Sequence, residues 1–214
     1  MPRNADDHPL SLKVCFPFLK AIAWILFGFF GAPIRSKNRS HVKLTGPLLV
    51  ISNHQSNCDP VVVQYSSPRL IHFLARKELL EMPFVRHFTR WFRAVPIKQS
   101  SPDLGALKKA IALLKEGKAV GIFPEGQLSP DGNLLELFEG TALIVRKSGA
   151  PCICLGLQGT NKFMPSPRAT PGWSFRAIRA NWGETKSFEP SATDAEIMAW
   201  IESELRRLSH QPQA

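Results

Sequence analysis

Short apolar runs of strand length alternate with amphipathic, helix-length segments along most of this chain, and that alternation is its strongest constraint on fold. Leu48 to Ser52 (LLVIS), Leu70 to Ala75 (LIHFLA), Ala94 to Ile97, Ala119 to Phe123 (AVGIF), Cys152 to Leu157 and Ser174 to Ala180 read as strands. After the first, Asp59-Pro60 has the form of an N-cap followed by a proline at the first helical position, ahead of VVVQY. Met82 to Phe92 reads as a helix. Ser101-Pro102-Asp103 starts another, whose apolar face carries Leu104, Leu107, Ile111 and Leu114 before a stop at Gly117. Thr141 to Lys147 is helical, and Thr193 with Glu196 makes a capping box for a last helix through Ile197, Ile201, Leu205 and Leu208. Such elements bury their apolar faces in layers, so the expected fold is α/β, a mixed sheet flanked by helices. There is no internal repeat, and 214 residues suit one such domain.

Ahead of these strands, Val14 to Ile34 is apolar over 21 residues, with Lys20 as its one charge. A straight helix of that length is about 31 Å, just enough for a ~30 Å hydrocarbon core. Against a span, Lys20 costs ~2.5 to 3.5 kcal/mol near the centre, each apolar residue returns only ~0.3 to 0.6 kcal/mol, and Pro17 and Gly28 interrupt the run. A helix lying in the interface fits better, with a buried core helix as the alternative. Arg35, Lys37, Arg39 and Lys43 follow, and anionic headgroups attract each by ~1 kcal/mol. The expected division is a membrane-associating segment, residues 1–46, and a catalytic domain, residues 47–214. No small-residue cleavage pattern follows the apolar run, so it is not read as a secretory signal.

The four cysteines, Cys15, Cys58, Cys152 and Cys154, form no CxxC pair and suggest neither a disulfide framework nor a zinc site. The expected location is the cytoplasmic face of a membrane. Cys152 and Cys154, at i and i+2, face one side of a strand and read as small core residues. The 27 Lys and Arg against 17 Asp and Glu give a net charge of +10, which calls for an anionic partner: lipid, nucleic acid, or a phosphorylated or CoA-like ligand. No nucleic-acid motif or aromatic-rich basic strand is present, so nucleic acid is not expected.

Open α/β sheets place their sites at the carboxyl ends of strands, and two polar clusters stand there: Asn53 to Asp59 and Pro124-Glu125-Gly126. His54 and Asp59 share one turn, so the carboxylate could accept from one ring nitrogen and leave the other free as a general base. The alternative is that Asp59 only caps a helix while His54 bonds the backbone. A metal site lacks an evident third ligand, so none is expected, and Cys58 as a Cys/His nucleophile is a minor reading.

Together and in this order, the blocks resemble the glycerophospholipid acyltransferase family, the lysophosphatidic acid acyltransferase or PlsC-like group, over roughly Pro47 to Gly159. NHQSNCDP, Asn53 to Pro60, resembles that family's NHxSxxD motif. Arg76-Lys77-Glu78-Leu79 before Pro83 looks like its Lys-x-Glu-Leu block, with Arg76 in the lysine position. Ala94-Val95-Pro96-Ile97-Lys98 looks like the second motif, Phe123-Pro124-Glu125-Gly126 matches the third, and Ser148-Gly149-Ala150-Pro151 opens the fourth.

The resemblance implies that His54 takes the proton from an acceptor hydroxyl and that Asp59 orients the ring and stabilises the imidazolium. The hydroxyl would attack the thioester of acyl-CoA or acyl-carrier-protein, with no covalent enzyme intermediate and no cofactor. Ser56 would support the turn, while Lys98, Glu125 and Gly126 would serve the acceptor's glycerol and phosphate region. The implied partners are membrane lipids, a lysophospholipid acceptor and the acyl donor, and the implied product is phosphatidic acid from 1-acylglycerol-3-phosphate.

Two departures bear on the acceptor: the second motif often ends in arginine where Lys98 stands, and the third commonly reads FPEGTRS where this chain has Gln127 and Leu128. Lysine offers phosphate a point charge and arginine a bidentate fork. The stretch from Phe123 to Ala150 also looks like the lysophospholipid acyltransferases that reacylate lysophosphatidylethanolamine. A non-catalytic basic membrane module and a hydrolase are the rival readings; the missing GxSxG elbow excludes one hydrolase class only.

Overall fold

The computed structural model describes residues 10–76, 95–97, 104–165 and 170–209. The described strands are β1 (Ile34–Lys37), β2 (Leu48–Ser52), β3 (His72–Arg76), β4 (Val95–Ile97), β5 (Ala119–Ile122), β6 (Cys152–Gln158) and β7 (Ile178–Lys186). The described helices are α1 (Leu10–Phe29), α2 (Asp59–Ser66), α3 (Leu104–Lys115), α4 (Gly140–Ser148), the short α5 (Thr160–Phe163) and α6 (Asp194–Ser209). The expected helix Met82 to Phe92 and helix start Ser101 to Asp103 lie outside the described residues.

The strands form one mixed sheet in the order β1-β7-β6-β2-β5-β3-β4. β6, β2, β5, β3 and β4 are parallel, β7 runs antiparallel to β6, and β1 is parallel to β7. β2 sits at the centre, buried on both faces, which is why LLVIS is a continuous apolar run and not an alternating one. Leu48 and Val50 join one core with Ala23 and Phe27 of α1, Val62 and Val63 of α2, and Phe163. Leu49 and Ile51 join the other with α3, α4 and α6. Cys152 and Cys154 both point into that second core, as their spacing suggests.

At the last helix, the Thr193 backbone N–H donates to Glu196 Oε2 at 2.8 Å, and the Glu196 N–H donates back to Thr193 Oγ1 at 3.2 Å. That reciprocal pair is the expected capping box.

α1 continues through Pro17 and Gly28. Ala23 and Phe27 face the core, and Lys20 points the same way, donating to the Ser67 carbonyl at 2.5 Å. Arg39 donates to the same oxygen at 3.1 Å. Ser67 caps the carboxyl end of α2, where a helix concentrates partial negative charge, so two cations converge on a natural acceptor. Burial and the neighbouring Arg39 push the Lys20 amine down to about 8. The opposite side of α1 exposes Phe18, Ile22, Ile25 and Phe29, a helical stripe of apolar residues. Among the described residues no helix is long and apolar enough to cross a membrane.

Two strands differ from expectation. β1 was not anticipated, because IRSK carries a single apolar residue, and three of its four side chains are exposed at the sheet edge. The sheet therefore begins at Ile34, before the expected domain start at Pro47. The last strand was expected over Ser174 to Ala180 but runs from Ile178 to Lys186. Phe175 adopts φ 50, which breaks extended backbone, so pairing starts only after it.

Gly156 on β6 lies directly beneath the end of α6, and a Cβ there would overlap the Leu208 main chain. Gly156→Ala is therefore expected to lower stability by about 1–3 kcal/mol, the usual cost of overpacking. A urea midpoint unchanged from wild type would show that α6 can back away freely.

Candidate active site

Three adjacent parallel strands, β6, β2 and β5, end side by side, and the loops leaving them build the site. Asn53, the first residue past β2, is buried and locks two of these ends together. Its Nδ2 donates to the Leu157 carbonyl at 3.0 Å and its Oδ1 accepts the Leu157 N–H at 2.7 Å. The amide thus continues the β2–β6 ladder by one step beyond the backbone.

The loop then folds around Asp59. Its Oδ2 accepts from His54 Nδ1 at 2.9 Å, from the Gln55 N–H at 2.6 Å and from the Ser56 N–H at 2.8 Å. Asp59 is fully buried, while the His54 side chain keeps 19% of its surface exposed. The sequence reading of Asp59 as an N-cap needs correction: Cys58 takes the cap position and Asp59 is the first helical residue. Its carboxylate turns back toward the loop and leaves the following N–H groups of α2 alone. Helix capping therefore does not account for Asp59, and His54 bonds the carboxylate, not the backbone, through its ring.

An ionised carboxylate only accepts, so the Nδ1 proton is donated to Asp59 and, in the neutral ring, Nε2 keeps a lone pair. Among the described residues Nε2 has no partner. The imidazole stacks on Phe123 with ring centroids 4.1 Å apart and planes 16° from parallel, and Phe123 stacks in turn on Phe73 at 5.8 Å. This pile fixes the plane of the imidazole from below. In the sequence Phe123 reads as the end of a strand and the first residue of a motif, with no local sign of this stack. Its place directly after β5, in register with a loop from the adjacent strand, was the available signal.

Glu125 reaches the same loop from β5. Oε1 accepts the His54 backbone N–H at 2.6 Å and Oε2 accepts the Leu135 N–H at 3.0 Å. The His54 carbonyl accepts the Ser129 N–H at 2.8 Å. Both backbone groups of His54 are thus held by the segment from 125 to 129. Burial raises the Glu125 carboxyl above its ordinary 4.5, against the lowering effect of its two backbone donors and of His54. Gly126 closes the turn, its N–H donating to the Phe123 carbonyl at 3.1 Å, and its φ of 65 is one that glycine adopts without strain.

Ser56 is fully buried and donates to the Met164 carbonyl at 2.7 Å, while its oxygen accepts the Cys58 N–H at 3.3 Å. Ser56 thus ties the turn to the Met164 carbonyl and to the Cys58 N–H, with its hydroxyl fully buried. Burial and the adjacent Asp59 push the Cys58 thiol up to about 12, which disfavours the thiolate that a nucleophile needs. Lys98 lies outside the described residues. The structure thus brings together His54, Asp59, Ser56, Glu125 and Gly126, and adds Asn53 and Phe123.

Residues 33–158 match the model of a family described as Acyltransferase. The chain is 32% identical over 122 residues to a chloroplastic 1-acyl-sn-glycerol-3-phosphate acyltransferase of Brassica napus, covering 56% of this chain and 35% of that protein. It is 27% identical over 148 residues to the 1-acyl-sn-glycerol-3-phosphate acyltransferase of Bacillus subtilis, covering 69% and 71%. The chain thus spans about a third of the length of its chloroplastic relatives. In fold it is similar to the crystal structure of the 1-acyl-sn-glycerophosphate acyltransferase PlsC from Thermotoga maritima. The TM-score is 0.78 at 23% identity, covering 94% of this chain and 82% of that one.

Glu125→Gln keeps one acceptor but turns an NH2 group toward a backbone N–H, and the orphaned donor is expected to cost about 1–3 kcal/mol. Because the folded carboxyl titrates above 4.5, its ionisation opposes folding. That increment of stability is present below the unfolded value and is lost as pH rises through the folded one. The gap between wild type and variant should therefore narrow over that rise and level off above it. Urea midpoints across pH check both expectations, and a gap that stays constant with pH would contradict the second.

Proposed function

The chain belongs to the acyltransferase family, and on that premise we propose that it moves a fatty acyl group from acyl-CoA or acyl-carrier-protein to the free hydroxyl of 1-acylglycerol-3-phosphate, giving phosphatidic acid. The observation that carries the proposal is the 2.9 Å bond between His54 Nδ1 and the buried Asp59 carboxylate, which leaves Nε2 as the base. Nε2 takes the proton as the acceptor oxygen attacks the thioester carbonyl, and Asp59 stabilises the imidazolium that forms. The tetrahedral adduct then collapses, the carbon–sulfur bond breaks, and the imidazolium returns its proton to the leaving thiolate. Protein, donor and acceptor end with every proton accounted for, and no acyl-enzyme is needed. The proposed setting is the cytoplasmic face of a membrane, where the lysophospholipid acceptor resides.

A second reading differs only in the acceptor's headgroup. Gln127 is exposed beside Gly126 where the family's third motif commonly continues with Thr and then Arg, and Leu128 fills the arginine place itself. That position presents no fork for a phosphate monoester, which favours a lysophospholipid with another headgroup, such as lysophosphatidylethanolamine.

His54→Ala is expected to lower acyl transfer by about 10²- to 10⁴-fold, the usual share of a general base, with the melting transition unchanged. Purified wild type and variant would be given a panel of lysophospholipids with acyl-CoA and with acyl-carrier-protein, and the products weighed by mass spectrometry. Transfer by the variant at the wild-type rate would remove His54 from the mechanism. Free fatty acid as the sole product would make the protein a hydrolase, and the preferred lysolipid decides between the two headgroup readings.

A further inference from the structure

Beyond the His54 loop, the same end of the sheet carries a concavity of about 260 Å³, lined by Arg35, Gln158, Gly159, Lys162, Arg176 and Arg179 among others. Among the described residues that line it, four side chains are cationic and none is acidic. They come from four separate places in the chain: β1, α5, the loop before β7, and β7 itself. Pairing makes them neighbours, since Arg35 is in register with Arg179 and Arg179 with Gln158. The chemistry that matches such a cavity is a phosphate group, to which guanidinium donates bidentate hydrogen bonds.

What lies beside the cavity identifies the carrier of that phosphate. The loop leading to Arg176 holds Trp173 and Phe175, which are 60% and 79% exposed. It is pinned to the end of α1, where the Ser174 N–H donates to the Phe30 carbonyl at 3.2 Å. Trp173 lies 5.4 Å from Phe29 and 5.9 Å from Phe175 between ring centroids. Phe29, itself 65% exposed, is the last member of the apolar stripe Phe18, Ile22, Ile25 and Phe29. An apolar ridge thus runs along α1, ends in three aromatic rings, and meets a cluster of cations at that end. Aromatic rings at the headgroup level with basic residues beside them are the pattern of a bilayer-facing surface.

We infer that this cavity binds the phosphate of an anionic membrane phospholipid while Trp173, Phe175 and the exposed face of α1 enter the bilayer interface. For the reaction proposed above, this lipid is distinct from the one being acylated. The acceptor's phosphate is carried on the carbon next to the reacting hydroxyl and must lie close to His54. The His54 ring lies on the β5 side of β2, against Phe123, whereas the cavity lies on the other side, past β6. β7 and β1 are two and three strand spacings from β2, about 10 and 14 Å. Docking there turns the carboxyl ends of β6, β2 and β5 toward the surface from which lipid substrates come.

The test is a vesicle-binding measurement, so it does not depend on whether acyl transfer is the reaction. Wild type, Lys162→Gln/Arg176→Gln, Trp173→Ala/Phe175→Ala and the control Lys108→Gln/Lys115→Gln would be sedimented with vesicles of phosphatidylcholine alone or mixed with phosphatidylglycerol. The control pair lies on α3, against the opposite face of the sheet. A cation held near an anionic bilayer raises partitioning about fivefold, so the cavity pair should lose about 25-fold on mixed vesicles and nothing on phosphatidylcholine. The aromatic pair should lose affinity for both kinds of vesicle. Equal losses from the cavity pair and the control would mean diffuse surface charge and overturn the site. So would tight binding of inorganic phosphate with no vesicle effect, or cavity-dependent binding of an acidic acyl-carrier protein in place of vesicles.

Discussion

The Oδ2 atom of Asp59 accepts three N–H groups, and the shape of the loop between β2 and α2 depends on it. Two are backbone donors that the tight turn at Gln55 and Ser56 would otherwise leave without partners, and an unpaired buried N–H costs about as much as a lost hydrogen bond. The third is the ring of His54. Satisfying the loop and orienting the His54 ring therefore rest on the same oxygen atom. The remaining oxygen, Oδ1, is buried and has no partner among the described residues, so within them the group's hydrogen bonding falls on one atom. That concentration favours a single ring orientation, since Nδ1 has one acceptor to find.

The adjacent strands take up the load from either side. Asn53 fastens the start of the loop to the end of β6, and Glu125 fastens the middle to the segment leaving β5. In a parallel sheet these ends have no hairpins to tie them, because each strand returns through a distant crossover. Side chains do the tying instead. Glu125 is costly in itself, since burial opposes its charge, and its place is kept because two backbone N–H groups point at it. A group that holds the main chain of His54 sets where the ring stands, without having to touch a substrate.

Much of this was legible in the sequence because the central strands are buried on both faces and their apolar runs are unbroken: β2, β5 and β6 stand out in composition. The spacing of His54 and Asp59 allowed their contact without deciding it against a helix cap. Edge elements were less legible. β1 shows three exposed polar side chains in four residues, and β7 gains its place from partners on both sides more than from its own pattern, with NWGETK polar over most of its length. Its start was misplaced by the alternation in SFRAIRA, which the left-handed backbone of Phe175 overrides. The role of Asp59 was half legible. A carboxylate before a proline suggests a helix cap, and only the fold of the loop shows that its acceptor faces backward. The stacking of His54 on Phe123 joins residues from two strands and has no local signature at all.

Charge shows the same division between linear and spatial pattern. In sequence, Arg35, Lys37, Arg39 and Lys43 form one basic cluster behind an apolar segment, and the simplest reading directs all four at anionic lipid. Folding splits them. Arg39 donates to the carbonyl that caps α2, alongside Lys20 from the apolar segment itself, so two of the cations nearest the helix serve the protein. Arg35 is drawn by sheet pairing toward Arg179, a residue 144 positions away, and into the company of Lys162 and Arg176. A surface that gathers four cations around one concavity attracts an anion into it. The apolar stripe on α1 has the complementary problem, since water is a poor solvent for it and it leads to the rim of the same concavity. A bilayer carrying phosphate headgroups above hydrocarbon answers both demands at once, in the order in which the surface presents them.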